Sequence, residues 1–380
     1  MTRRIAPGGA VLGSLLLCGC SAVGTPEPVC RPLEVAELPK LGLMRGTWMD
    51  EEQFVLVDSP RSRLLVYRVD EGLVRIVDGR ESADPALHFG EPRDVQPWGR
   101  RYVLAVRYGD QERLLEGDQE RLLELDRNLR PVRMLWETDR ERVPGGWSGE
   151  EVWAITQLAV LRDSLYVKAV RLDVPRLSEY FQHEREFAEF GLASRPGALS
   201  ELAAWPGFPG ELGWIGTASE LVATDDRAGS TYALRFAPDD PFIQELVGEG
   251  RRLDAFPDLP TPFPESLRAA GGGWTGWGPL EAGSYPAGLY ADRDSLYVLM
   301  RDATGAAVVW DLHRIDPEQD AIVDKVRLPT NAPHVGLVPG RRYWLLQEAT
   351  SGVEDRLRPP IRLLLLDAAE IRAGEPVSCD

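Results

Sequence analysis

The hexapeptide RDSLYV is written twice, at residues 162–167 and 293–298, 131 residues apart. It opens on turn-prone polar residues and closes on a β-prone triplet, so it reads as a turn running into a strand. Comparable strand openings recur at Phe54-Val55-Leu56-Val57-Asp58, Tyr102-Val103-Leu104-Ala105-Val106, Leu165-Tyr166-Val167, Leu221-Val222-Ala223-Thr224-Asp225, Leu296-Tyr297-Val298-Leu299 and Tyr343-Trp344-Leu345-Leu346. They define six units spaced 47 to 75 residues apart. Most continue through a polar turn into a second strand, as in LVATDDRAGSTYALRFAPDD. A meander of this kind cannot bury both of its faces alone. Stacking units about an axis solves that, and repeats of this order point to propellers or solenoids.

The stretch FVLVDSPRSRLLVYRVDEGLVRIVDGR, followed by HFGEPRDVQPWGRRYVLAV, resembles the NHL-type and related six-bladed β-propellers. The shared pattern is a strand ending in Asp, a basic turn, a strand entering Asp, then a Gly-rich link and a Pro opening the next unit. The resemblance covers about residues 40–372 and is clearest in the first two units. It implies an all-β fold, a β-propeller of six blades, and no particular activity. Such propellers often close their ring by pairing strands from the two ends of the chain. Some six-bladed relatives are lactonases and lyases with an axial metal held by Glu, Asn and Asp, but that set does not map residue by residue onto this chain.

The N-terminus carries a second resemblance. Arg3 and Arg4 form a basic region, and residues 11–17 make an apolar core too brief to span a bilayer. Leu17-Cys18-Gly19-Cys20 resembles the bacterial lipobox, which implies a signal peptide over 1–19, lipid attachment at Cys20, an anchor and linker over 20–39 and a propeller domain over 40–380. The alternative is ordinary signal cleavage. Ser21 after the cysteine favours the outer membrane, facing the periplasm or the exterior. Several acyl chains on one cysteine tether a protein stably without spanning the membrane.

Two cysteines remain beyond Cys18 and Cys20. Cys30 and Cys379 stand near the two ends of the mature chain, and in an oxidising compartment they are expected to form a disulfide, against the alternative of two free thiols. The bridge would clasp the ring closure. Removing residues 1–19, which hold two arginines and no acids, takes the formal charge from −17 to −19. That balance excludes nucleic acid as a partner, since phosphate neutralisation needs a basic surface.

Three stretches depart from the meander. The octapeptide GDQERLLE at 109–116 is copied unchanged at 117–124, and eight residues preserve strand phase, so a hairpin can absorb it. Residues 178–190, followed by Gly191, carry an N-cap serine and early acids, which predicts a short helical insertion. Residues 256–288 are rich in Pro and Gly and read as a long loop holding Trp274 and Trp277, which either dock a partner or pack over one face of the disc.

Motifs for chemistry are sparse. The four histidines, His88, His183, His313 and His334, have no metal-ligand spacing, and Phe187 stands where a zinc-protease helix beginning at His183-Glu184 needs its second histidine. The pairs Asp225-Asp226, Asp239-Asp240 and Asp292/Asp294 read as solvated turn acids rather than calcium ligands or catalysts. No catalytic residue, metal or cofactor is assigned. The chain is expected to be a monomeric, non-catalytic binding or scaffold lipoprotein of the bacterial envelope, gripping an envelope protein or polysaccharide. The alternative is a metal-dependent propeller hydrolase or lyase.

Overall fold

The computed structural model describes residues 30–33, 44–108, 119–137, 151–161, 164–173, 186–193, 203–204, 221–223, 229–235, 242–245, 250–258, 284–304, 307–349 and 361–377. Twenty-four strands and one short α-helix are assigned among them. The first strand, β1 (Cys30–Leu33), is used last. Four strands in order make the first sheet: β2 (Gly46–Trp48), β3 (Gln53–Asp58), β4 (Arg63–Arg68) and β5 (Gly72–Asp78). The second holds β6 (Glu91–Trp98), β7 (Arg101–Tyr108), β8 (Gln119–Leu125) and β9 (Pro131–Glu137). The third holds β10 (Glu151–Leu161), β11 (Ser164–Asp173), β12 (Glu186–Ala193) and β13 (Ala203–Ala204). The fourth holds β14 (Leu221–Ala223), β15 (Thr231–Arg235), β16 (Phe242–Glu245) and β17 (Arg252–Leu253). The fifth holds β18 (Tyr285–Asp292), β19 (Ser295–Asp302), β20 (Val309–Asp316) and β21 (Ala321–Arg327).

The sixth sheet joins the ends of the chain. It contains β22 (His334–Val338), β23 (Tyr343–Ala349) and β24 (Ile361–Asp367), and β1 pairs antiparallel on β24 with Cys30 opposite Leu366. This is the end-to-end closure implied by the resemblance, and it draws residues 30–33, within the stretch read as linker, into the sheet. The first strand of each sheet touches the first strands of its neighbours in the succession β2, β6, β10, β14, β18, β22 and back to β2. The inner strands therefore run round a closed ring.

The apolar runs explain this stacking. Residues of β3 alternate between two cores. Val55 and Val57 pack with Tyr102, Leu104 and Val106 of the second sheet, while Phe54 and Leu56 pack with Leu345, Leu363 and Leu365 of the sixth. A strand buried on both faces needs a continuous apolar run rather than alternation, which is what FVLV, YVLAV and YWLL supply. The same division recurs between the fifth and sixth sheets, where Tyr297, Trp310 and Trp344 share one core. Each fully buried side chain of this size contributes roughly 1.5–3 kcal/mol.

Five of the six strand openings read from the sequence fall in second strands, β3, β7, β11, β19 and β23, and the sixth is β14, a first strand. In the second copy of RDSLYV, Arg293 takes the left-handed turn (φ 56°) that joins β18 to β19. The Gln119–Glu124 part of the repeated octapeptide runs in β8, and the first copy lies outside the described residues.

Two expectations are corrected. The helix predicted over 178–190 is not present where the structure describes it, because residues 186–193 form β12 along β11, Phe190 opposite Val167 and Leu192 opposite Leu165. Residues 188, 190 and 192 are apolar in alternation, and a ten-residue neighbouring strand gives that pattern a full ladder of backbone partners, which local helix signals do not outweigh. The loop assigned to 256–288 ends earlier, since Tyr285–Gly288 already belong to β18. The one α-helix among the described residues, α1 (Ala368–Ala373), follows β24 directly. The Asp367 carboxylate accepts the Ala369 amide at 2.7 Å, and Gly374 ends the helix in the left-handed conformation.

Candidate functional site

The inner strands are where a disc of stacked sheets presents its axis, so polar side chains on and beside them are the first place to look for chemistry. Three of these strands carry a bulge at the same level. Register shifts between Pro92 and Asp94 in β6, between Ile155 and Gln157 in β10, and between Pro286 and Gly288 in β18. An extra residue there bends the strand and re-aims the next side chain.

In β6 that side chain is Asp94, 1% exposed. Its Oδ2 accepts the Leu158 amide of β10 at 2.7 Å, and its Oδ1 accepts the Val95 amide at 2.8 Å and the Gln96 side-chain amide at 3.2 Å. Burial pushes the carboxyl up to about 6, although the Arg45 guanidinium and the three N–H donors pull the other way. A carboxyl tuned to that range suits acid–base work, yet both of its oxygens are engaged: Oδ2 joins the second sheet to the third, and Oδ1 is held within β6 itself. Glu120 on β8 adds a parallel joint by accepting the Ile155 amide at 3.1 Å.

The same device recurs around the ring. Between the first and second sheets the Ser59 hydroxyl donates to the Pro92 carbonyl. Between fourth and fifth, Asp320 accepts the amides of Asp254 and Ala255 at 3.0 and 2.9 Å. Between fifth and sixth, the Trp310 indole donates to the Ala332 carbonyl at 2.7 Å and the Tyr290 hydroxyl accepts the Leu337 amide at 3.2 Å. Between sixth and first, Trp48 donates to the Val338 carbonyl at 3.0 Å. Each bond satisfies a main-chain group that lies where sheets meet and have no ladder partner for it.

The residues singled out from the sequence divide sharply. Cys20, Cys379, Trp274, Trp277, His183 and the pairs 225–226 and 239–240 lie outside the described residues. Cys30 is buried at the start of β1. His88 contacts the Ser82 carbonyl at 3.0 Å, and burial and Lys325 lower the pKa of His313. Among the described residues no three of His, Cys, Asp and Glu converge on a common point. Asp292 is not a free turn acid: Arg372 of α1 donates to it at 2.6 Å. Asp94, Glu120 and Gln347 were invisible as site residues, because nothing in GEPRDVQPW separates a joint-forming aspartate from a turn aspartate.

No protein-family profile matches the sequence, and no curated protein matches it. Solved structures do match by shape. A luciferin-regenerating enzyme is 12% identical with a TM-score of 0.50, covering 92% of this chain and 100% of its own. A member of the DUF4221 family from Bacteroides vulgatus is 11% identical with a TM-score of 0.51, covering 89% and 95%. An α-L-arabinanase from Penicillium chrysogenum, solved with arabinobiose, is 9% identical with a TM-score of 0.51, covering 90% and 99%. The chain folds as a β-propeller. At these identities the likeness concerns the fold alone, and the propeller's role must come from its own residues.

Proposed function

We propose that this protein is a lipid-anchored, six-bladed propeller of the bacterial envelope that acts as a non-catalytic binding or scaffold module. The observation that carries the non-catalytic reading is the use of its buried inner polar groups. Asp94 Oδ2, Glu120 Oε2 and the Gln347 side-chain amide are each bonded to backbone beyond their own sheet, so among the described residues these buried polar groups hold the ring together. The six four-stranded sheets are taken as the six blades.

Anchoring rests on the sequence, through the basic start, the short apolar core and Leu17-Cys18-Gly19-Cys20. Lipid on Cys20 would leave the disc tethered to the outer membrane by the linker before β1. The proposed clasp from Cys30 to Cys379 is supported by packing: Cys30 is buried in one core with Val377, two residues before Cys379. A bridge closing so long a loop would add roughly 5 kcal/mol on the chain-entropy account.

The test is crosslinking of the anchored protein in cells, with mass spectrometry of what co-purifies and a Trp274→Ala/Trp277→Ala variant alongside. A specific envelope protein or polymer captured by the wild type and lost in the variant is the expected result. Recovery of no partner under conditions where the protein is abundant would overturn the scaffold reading.

A further inference from the structure

The second sheet ends, on one side, in two turns that lie together. Tyr102 pairs with Leu125 and Leu125 with Pro131, which brings the β6–β7 hairpin at 98–101 beside the β8–β9 turn at 126–130. An open cleft of about 640 Å³ lies there, lined by Trp98, Arg100, Arg101, Glu124, Val132 and Arg133. Clefts of this size accommodate small organic ligands.

Its charge is built rather than incidental. Glu124 has a side chain only 6% exposed, and it holds two arginines, Arg101 at 2.8 Å on Oε1 and Arg133 at 2.6 Å on Oε2. Both arginine side chains stay nearly half exposed. Each guanidinium has five N–H donors, and each uses one on Glu124. The carboxylate thus fixes two forks in the cleft with donors to spare, so a ligand would order less side chain on binding. Arg100, at the hairpin tip, is exposed and makes no ion pair among the described residues. Three positive charges face one negative charge, in a chain whose formal charge is −17. Exposed Arg127 and Arg130 on the adjoining turn add to the field, while Asp126 is turned to the amides of Asn128 and Arg130 at 2.7 and 2.9 Å. Asp50 of the β2–β3 turn, whose charge reaches Tyr102, accepts the amides of Glu52 and Gln53 at 2.8 and 2.7 Å.

We propose that this cleft binds an oxyanion, phosphate or carboxylate, carried on a sugar-sized body. Planar arginine forks match both anions, the volume exceeds what a bare ion fills, and Val132 supplies an apolar wall for the rest of the ligand. This deepens the binding reading by naming a ligand class, but it does not depend on the tether or on Trp274 and Trp277. Absence of oxyanion binding together with capture of an envelope partner would sink this inference and leave that reading standing.

The experiment is calorimetric titration of the purified full chain in detergent with glucose 6-phosphate, glucuronate, glucose and inorganic phosphate. Both anionic sugars should bind and glucose should not, and the tighter of the two identifies the anion. Arg100→Ala should weaken binding about tenfold, with partial recovery in Arg100→Lys. Arg133→Ala should weaken it as well, and Arg100→Ala keeps the test sound if loss of a Glu124 partner disturbs the fold. Unchanged affinity in Arg100→Ala, or no binding of either anionic sugar, overturns the site. Inorganic phosphate binding as tightly as glucose 6-phosphate overturns the sugar-sized ligand.

Discussion

Gln347 of β23 and Met44, just ahead of β2, stand 303 residues apart and are joined by one side-chain amide used in both directions. The Met44 amide donates to Gln347 Oε1 at 2.9 Å, and Gln347 Nε2 donates to the Met44 carbonyl at 2.6 Å. Gln347 is 1% exposed, so the pair closes the ring in a region without water to replace either bond. It acts beside the β1–β24 pairing, which ties the same two ends of the chain by main-chain ladder.

Gln347→Leu removes both bonds and leaves the Met44 amide and carbonyl buried without partners. The expected cost is about 2–4 kcal/mol, read as a lower urea midpoint at unchanged slope. A loss below about 1 kcal/mol would mean that the clasp contributes little to closure.

Asp94 makes stability depend on pH in a stated direction. Its carboxyl rises from the ordinary 3.8 to about 6 in the folded protein. A raised folded value means that the stabilising contribution is fully present below pH 4 and is lost as pH rises through 6. The wild type minus Asp94→Asn difference in unfolding free energy should therefore fall by on the order of 2–3 kcal/mol between pH 4 and pH 7. Urea unfolding of both proteins across that range checks it; a flat difference would show that Asp94 titrates alike in both states.

Two glycines make a controlled pair. A Cβ on Gly46 would press into the Val55 carbonyl and lie 2.7 Å from Leu56 Cδ2, inside the β2–β3 pairing. A Cβ on Gly250 would meet nothing within 4 Å, though its φ of +69° disfavours a side chain. Gly46→Ala should cost several kcal/mol and Gly250→Ala about 1 kcal/mol. Thermal unfolding of the two variants compares them, and equal losses would contradict the packing described for β2.

Arg372 rivets the end of the chain. It donates to Asp292 at 2.6 Å and to the carbonyls of Arg341 and Gly340 at 2.9 and 3.1 Å, so α1 is bound to hairpins of the fifth and sixth sheets. Arg372→Ala should lower stability by about 1–3 kcal/mol and speed amide exchange in residues 361–377 first. Exchange that stays at the wild-type rate there would assign the anchoring of α1 to Ile371 and its apolar neighbours instead.

The architecture was legible because it is written in apolar runs. Strands such as FVLV and YWLL must be buried on both faces, and that requirement alone calls for stacked sheets. Residues 186–190, the described part of the predicted helix, form strand because helix signals are local, whereas the strand depends on β11, whose pairing partners no local window contains. The polar joints were illegible for a related reason. Asp94, Glu120 and Gln347 acquire their meaning from amides 64, 35 and 303 residues away, and no motif links such positions.

The central claim is that the propeller binds rather than catalyses. It is tested most directly by metal analysis of the purified full chain, coupled to a turnover screen with lactone and lyase substrates in the presence of added divalent cations. The account predicts no stoichiometric metal and no turnover above the protein-free rate. A divalent metal held at one per chain, with hydrolysis or elimination that disappears on chelation and returns on reloading, would contradict it.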